Sequence, residues 1–414
     1  MIPGNFVSVN QVSSSSSSHL QRITVSAFRN LRDQTISLGA GRNLFVGSNG
    51  QGKTSLLEAV YVLATGKSFR GATASNLIRF DAPALRLVGE VAQDIGSLTL
   101  AVELVETPTR SRRFLAGGKG LTPAGYLGLL PTVAVTAERM GIVRGGPDER
   151  RRFLDRGILL ESPRTAELYR SIEKLLRQKN ALLASGQSPR AKRESLEAWN
   201  RPLAEQSARL RTLRRSYAQD LAKHLPSICD EIGKPSGKIS FDYRPSPEGG
   251  DDAAELLFAL EKEAENEIGA GRTRLGPGRD EVDILLDGRP LRHHGSAGEQ
   301  KAFVLSLKVA KIERASRFLG SAPLLLLDDL DAELDRNVLR RFLGRLPAGH
   351  QILATSAKEE WIEPLLELSD ATDVSRFRVE GGEIRFLSEP LVSTDEIDHR
   401  MTDEAPRANR QSTG

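Results

Sequence analysis

The sequence predicts an α/β fold, a mixed parallel sheet beside an adjoining antiparallel sheet with an inserted α-helical domain, on three observations. Gly47-Ser48-Asn49-Gly50-Gln51-Gly52-Lys53-Thr54-Ser55 fits G-x-x-x-x-G-K-[ST] between an apolar run and a helical pattern. Leu324-Leu325-Leu326-Leu327 is wholly apolar and ends in Asp328-Asp329, as expected of a parallel strand buried on both faces. Between these two motifs lies a charged stretch with helical periodicity, too polar to belong to the sheet.

Residues 1–19 are polar and carry the serine run Ser13 to Ser18, which predicts a disordered extension. From residue 20 to about 140 the pattern is that of the N-terminal part of a nucleotide-binding head. Arg22 to Phe28 and Gln34 to Leu38 alternate as strands, Asn43 to Val46 is a short buried strand, and Ser55 to Ala64 reads as a helix. Ala84 to Val91 and Ser97 to Val105 alternate again and predict the antiparallel sheet, while Pro131 to Val135 predicts one more strand. Residues 141–270 change to charged helices. Leu168, Ile172, Leu175, Leu176, Leu182 and Leu183 share one helical face, and Leu196, Trp199, Leu203, Leu210, Leu213, Tyr217 and Leu221 share another. They predict a helical hairpin bent at Gly186 to Pro189, with Pro202 kinking or interrupting the second helix. The head resumes over 271–390 with a strand at Val282 to Leu286, a helix from Ala302, the leucine strand, and a neighbouring strand at Gln351 to Ser356. Residues 391–414 are polar and predict a tail.

Composition narrows the function class. A chain of 414 residues with 39% apolar and 27% charged residues buries a real core. It has no apolar run near 18 residues and no signal-peptide pattern, so no membrane partner is expected and a cytoplasmic, nucleoid-associated setting is. One cysteine, Cys229, excludes an internal disulfide and argues against a cysteine-ligated metal site. The formal net charge is only +4, but it is segregated: residues 141–225 carry nine more basic than acidic side chains, and residues 226–270 seven more acidic than basic. Arg150, Arg151 and Arg152, at a helix start after Pro147, are the candidate contacts to DNA phosphates; the alternative is a solvated helix face.

The chemistry follows from residue types. In the loop 47–55 the glycines let backbone N–H groups turn around an anion. Lys53 supplies a positive charge and Thr54 a hydroxyl for Mg²⁺, and the following helix presents its N-terminus, so ATP with Mg²⁺ is the expected ligand. Asp328 and Asp329 emerge at the sheet's C-terminal edge. Asp328 is the expected metal carboxylate, and Asp329 the group that orients or deprotonates the attacking water. With Lys53 they form the expected catalytic set.

Ser296-Ala297-Gly298-Glu299-Gln300, placed 32 residues before Asp328, resembles the signature turn of ABC-type ATPases, which meets the γ-phosphate held by the opposite subunit. Ala332-Glu333-Leu334-Asp335 resembles the D-loop that crosses the same interface. With Phe28 to Leu31, Val46 through Tyr61 to Arg70, Arg150 to Asp155, Leu175 to Leu183 and Gly276 to Asp280, the chain resembles the RecF family of DNA-repair ATPases, related to SMC-type heads, over roughly residues 20–390. The resemblance implies an ABC/SMC-type ATPase head and an ATP-dependent homodimer. It also implies slow DNA-associated hydrolysis, and action on double-stranded DNA at single-strand/double-strand gap junctions with RecR and RecO to help load RecA. It places Glu138 near a metal- or water-contacting loop, with Arg70 and Arg139 approaching the nucleotide. Departures stand at Gly278, where histidine is usual, Glu299, where glutamine is usual, Ala332, where serine is common, and Pro202. An ATPase subunit of a membrane transporter is the alternative; the 243 residues between Lys53 and Ser296 leave room for an insertion that such subunits lack.

Overall fold

The computed structural model describes residues 18–93, 95–106, 111–136, 140–233, 237–248, 252–329, 336–358 and 374–387. The chain opens with β1 (His19–Ser26), β2 (Gln34–Ser37) and β3 (Arg42–Val46), and β3 leads through the glycine-rich loop into α1 (Lys53–Thr65). Next come β4 (Ala84–Ala92), β5 (Ser97–Val105), β6 (Ser111–Ala116), β7 (Lys119–Leu121), α2 (Pro123–Tyr126) and β8 (Thr132–Thr136). The helical stretch holds α3 (Gly141–Arg144), α4 (Pro147–Glu161), α5 (Ala166–Ala184) and α6 (Pro189–Ile232). It is followed by β9 (Ile239–Arg244), α7 (Ala253–Lys262), α8 (Ala264–Ala270), β10 (Glu281–Leu286), β11 (Arg289–Pro290), α9 (Leu291–His294) and α10 (Ala297–Leu319). The last elements are β12 (Leu324–Asp328), α11 (Arg336–Arg345), β13 (Ile352–Ser356), β14 (Val374–Glu380) and β15 (Glu383–Leu387).

One six-stranded sheet has the order β15-β14-β3-β13-β12-β8, parallel throughout except for the β14–β15 hairpin. The second, β2-β1-β4-β5-β6-β7, is antiparallel, so the predicted mixed and antiparallel sheets are both present. The leucine run explains how the layers meet. Leu324 and Leu326 point into the core shared with α1 and the antiparallel sheet, while Leu325 and Leu327 point into the core shared with α4, α6 and α10. A strand covered on both faces has no polar side to offer, hence its unbroken apolar sequence. Its first polar residue, Asp328, is the last one in the sheet.

The predicted hairpin turns between α5 and α6 as expected, but α6 does not stop at Pro202. It runs 44 residues with Pro202 and Pro226 inside it, about 66 Å at 1.5 Å per residue. Leu196, Leu203 and Ala204 are buried on either side of Pro202, and their packing offsets the one backbone hydrogen bond a proline removes. The first part of the helix packs Leu203 and Leu210 against Leu256 and Leu260 of α7; the last part places Tyr217, Leu221, Leu225 and Ile228 in the core of the parallel sheet.

Two of the sequence stretches that carry the family resemblance become buried ionic networks. Lys179 of α5 and Glu267 of α8 form a fully buried pair at 2.7 Å, and Glu267 also accepts from the Arg274 backbone N–H at 2.8 Å. Removing one partner of such a pair strands the other charge. Glu267→Ala is therefore expected to cost about 3–5 kcal/mol in calorimetric stability, with most of it recovered in Lys179→Met/Glu267→Leu. A second hub centres on Asp280, which takes Arg211 at 3.2 Å, Arg214 at 3.0 Å and the Ser246 N–H at 3.0 Å, together with the Tyr243 hydroxyl. Arg214 also binds Asp155 of α4 in bidentate fashion at 2.8 and 2.9 Å.

Candidate ATP site

The glycine-rich loop is shaped by three neighbours distant in sequence. Gly47 lies against β14 so closely that a Cβ there would sit 2.2 Å from the Val379 carbonyl oxygen. Gly52, at φ 112°, takes a backbone conformation that favours glycine and turns the chain into α1. The β14–β15 turn holds the loop's crest: the N–H groups of Gly381 and Gly382 donate to the Gln51 side chain at 2.6 Å and its backbone carbonyl at 3.0 Å. From the other side Asn30 donates to the Gly50 carbonyl at 3.1 Å and accepts from Ser55 at 2.7 Å.

Lys53 is buried and folds back over the loop, donating to the carbonyls of Gly47 at 2.7 Å and Ser48 at 3.2 Å. Its ammonium lies 3.9 Å from an Asp329 carboxylate oxygen. Ser48, Asn49 and Gly50 are exposed, leaving the mouth of the loop open. Asp328 is buried at the end of β12 and hydrogen-bonded by Thr54 and, at 3.0 Å, by Thr355. Thr355 comes from β13, the strand between β3 and β12, and also accepts from the Asp329 N–H at 2.9 Å. One hydroxyl from the middle strand thus positions both acids. Sequence reasoning missed it, although the first non-apolar residue of the buried run Ile352-Leu353-Ala354 was a usable signal.

Burial, and then the neighbouring Asp329 charge, push the Asp328 carboxyl from 3.8 up to about 6, against the hydrogen bonds of Thr355 and Thr54 and the positive charge of Arg70. A carboxyl raised in the folded state contributes stability that is whole below pH 3.8 and lost as pH rises through about 6, a change of about 3 kcal/mol. Two adjacent acids of this kind, with a threonine hydroxyl facing one of them, fit a hard divalent cation: Thr54 and Asp328 would hold Mg²⁺, with the remaining oxygens supplied by phosphate and water. The thermal shift produced by Mg²⁺ and ATP together is accordingly expected to shrink as pH falls below about 6, where the proton competes for Asp328. In Asp328→Asn that shift should be small and independent of pH; a wild-type shift flat from pH 5 to 8 would contradict the assignment.

Two resemblance stretches, Phe28 to Leu31 and Thr65 to Arg70, meet beneath α1. Arg29 pairs with the buried Glu58 at 2.5 Å, Ser68 donates to the same carboxylate, and the Arg70 N–H donates to Ser68 at 2.9 Å. The turn so fixed brings the Arg70 charge toward Asp328.

Ser296 caps α10, accepting from the Glu299 N–H at 3.3 Å, while Glu299 accepts from the Ser296 N–H at 2.8 Å. Ser296 and Gly298 are exposed, and nothing lies within 4 Å of the Gly298 Cβ position. Gln300 is buried instead, donating to the Gly295 carbonyl at 2.8 Å and accepting from Arg144 of α3 at 2.7 Å. It fastens the turn to the protein rather than presenting itself to a ligand. The hydrogen bonds of Ser296 and Gln300 are thus local to this edge and do not join it to the glycine-rich loop.

The expected DNA contacts need correction. Arg150 is buried, bound in bidentate fashion to Glu281 at 2.7 and 2.9 Å and to the Gly145 carbonyl at 2.8 Å. Arg151 is buried against Asp148 and the Asp280 carbonyl. Only Arg152 is exposed, and it pairs with Glu149 at 2.6 Å. The charge run misleads because Arg150 is neutralised by Glu281 and Arg151 is tied to the Asp280 backbone carbonyl, both far along the chain. Glu138, Arg139, the D-loop residues Ala332 to Asp335, and the N-terminal extension and C-terminal tail, 1–17 and 391–414, lie outside the described residues.

A family model described as RecF/RecN/SMC N terminal domain matches residues 19–376. The DNA replication and repair protein RecF of Geobacter sulfurreducens is 38% identical over 372 residues, covering 88% of this chain and 95% of that protein. RecF of Myxococcus xanthus is 34% identical over 374 residues, covering 88% and 96%. A solved structure of the recombination mediator protein RecF-ATPrS in the RecFOR pathway aligns with a TM-score of 0.80 at 28% identity, covering 91% of this chain and all of that one. An SMC head bound to the C-winged helix domain of ScpA aligns with a TM-score of 0.50 at 14% identity, covering 90% and 98%, a likeness of fold alone. Sequence relatives of nearly full length and a matching head architecture agree: the chain belongs to the RecF family of DNA replication and repair proteins, within the RecF/RecN/SMC type of ATPase.

Proposed function

We propose that this protein is an ATP-gated DNA-binding protein: ATP joins two copies, the closed dimer holds double-stranded DNA near single-strand gaps, and slow hydrolysis to ADP and phosphate releases it. The observation that carries the reading is the division of the site. Lys53, Thr54, Asp328 and Asp329 converge at one sheet edge, while Ser296 and Gly298 sit exposed on a separate, self-contained turn. A γ-phosphate cradled by the first set would be completed by the second set of another copy.

Each residue then has a task. Lys53 leaves the carbonyls of Gly47 and Ser48 for the phosphates, and loop N–H groups surround them. Asp329, held by Thr355, orients the attacking water. Thr54 and Asp328 would hold Mg²⁺, which would supply positive charge for phosphoryl transfer. Related structures named for the RecFOR pathway support cooperation with RecR and RecO in RecA loading, and relatives named for DNA replication and repair fit a cytoplasmic setting. The transporter reading loses its support to the RecF/RecN/SMC match.

Filter binding of duplex DNA tests the gating. Retention should be strong with a non-hydrolysable ATP analogue, transient with ATP and weak without nucleotide, and should fall steeply as salt rises. Equal retention in all three nucleotide conditions would refute it.

A further inference from the structure

A cleft of about 540 Å³ opens between the two main cores; residues 47–55, Asp328 and Asp329 do not line it, though its rim reaches Thr136, the sheet partner of Asp328, and the turn that carries Arg70. Its apolar wall comes from both bodies, with Tyr61 and Phe69 on the α1 side and Ile142, Phe153 and Leu160 on the α3–α4 side. This size suits a small ligand rather than a duplex, which binds open surfaces. The cleft touches Lys67 and Phe69 just after α1, Thr136 at the end of β8, and Lys308 and Lys311 of α10.

Its lining is predominantly basic: Lys67, Arg112 and Arg156 take part, Glu149 and Asp155 are the acids in it, and Arg170, outside the lining, lies close enough to repel Lys67. Desolvation first, and then these three arginines, hold the Lys67 ammonium below the usual lysine value, with only Glu173 opposing them. The two lining acids have other partners: Glu149 pairs with Arg152, and Asp155 with Arg214 and Tyr169. Among the described residues no ion pair engages the side chains of Lys67, Arg112, Arg156 or Arg170. Three cations on the wall of one recess raise the free energy of the protein unless something of opposite sign enters. Guanidinium groups pair bidentately with phosphate, and several cations on one enclosed wall favour several negative charges on one compact group over single carboxylates spread along a peptide.

We infer that this cleft is a second anion site, separate from the glycine-rich loop, that takes a compact polyphosphate through Lys67, Arg112 and Arg156. The phosphate comes either as free polyphosphate or as the tail of a nucleotide whose base rests on the apolar wall. The inference does not depend on the ATP assignment at Lys53, and its test removes that residue.

Inorganic tripolyphosphate is titrated calorimetrically into full-length Lys53→Ala protein without metal. One saturable event is expected, weakened about tenfold or more by Arg112→Ala/Arg156→Ala in the same background. The melting temperature of the triple variant should equal or exceed that of Lys53→Ala, since Arg112→Ala and Arg156→Ala each remove a cation from a repelling set. Tighter binding of ATP or GTP than of tripolyphosphate in Lys53→Ala identifies a nucleotide as the source, and equal affinity identifies free polyphosphate; both support the site. Absence of saturation in Lys53→Ala, an unchanged affinity in the triple variant, or stoichiometric displacement by a short DNA duplex would each overturn it.

Discussion

Lys53→Ala is expected to weaken ATP binding by about 10²-fold or more, read by equilibrium dialysis or calorimetry, and to abolish nucleotide-dependent dimerisation with it. The ammonium is buried and already near the loop, so transfer from the carbonyls of Gly47 and Ser48 to a phosphate needs only a short swing. Hydrogen bonds to charged groups contribute about 1.5–3 kcal/mol each, and a phosphate chain takes more than one from this residue type. Lys53→Arg should not rescue, because a planar guanidinium cannot replace a compact ammonium in a space closed by two carbonyls and Asp329. Retention of ATP affinity within threefold would remove the loop from the nucleotide site.

Asp329→Asn is expected to keep ATP binding and dimerisation while lowering the hydrolysis rate about 10²–10⁴-fold, so that the DNA complex persists instead of turning over. The backbone makes this the right substitution. Asp329 sits at φ 44°, in the left-handed region that asparagine tolerates and β-branched residues do not. The amide keeps the Thr355 contact geometry and removes only the charge facing Lys53. Single-turnover hydrolysis measured beside the lifetime of the dimer on duplex DNA separates the two steps. A variant that hydrolyses at the wild-type rate would assign the water-orienting role elsewhere.

How much of this was written locally can be judged element by element. β3, the loop and α1 were legible because every residue type there answers to a backbone requirement within ten positions. The leucine strand was legible because burial on both faces leaves no other composition. The β14–β15 hairpin was not: Arg376, Arg378 and Arg385 give it a polar look, and its Gly381-Gly382 turn is recognisable as a clamp only once β14 is seen beside β3. Arg150 and Arg151 show the same limit from the electrostatic side. A basic helix start is solvated or neutralised depending on partners more than 120 residues away, and periodicity carries no information about them. At Pro202 the helix is not interrupted, since packing on both of its flanks sustains it across the proline.

The clamp on the glycine-rich loop bears on how the protein is made. A ribosome delivers residues 47–55 early, but the strand that abuts Gly47 and the turn that holds Gln51 belong to residues 374–387, more than 300 positions later. Contacts of such separation form late, after the intervening chain has closed the loop between them. A nascent chain therefore carries the full phosphate-loop sequence for most of its synthesis without the surroundings that shape it. Capacity to hold a nucleotide is expected only once β14 and β15 have been made, long after the loop itself.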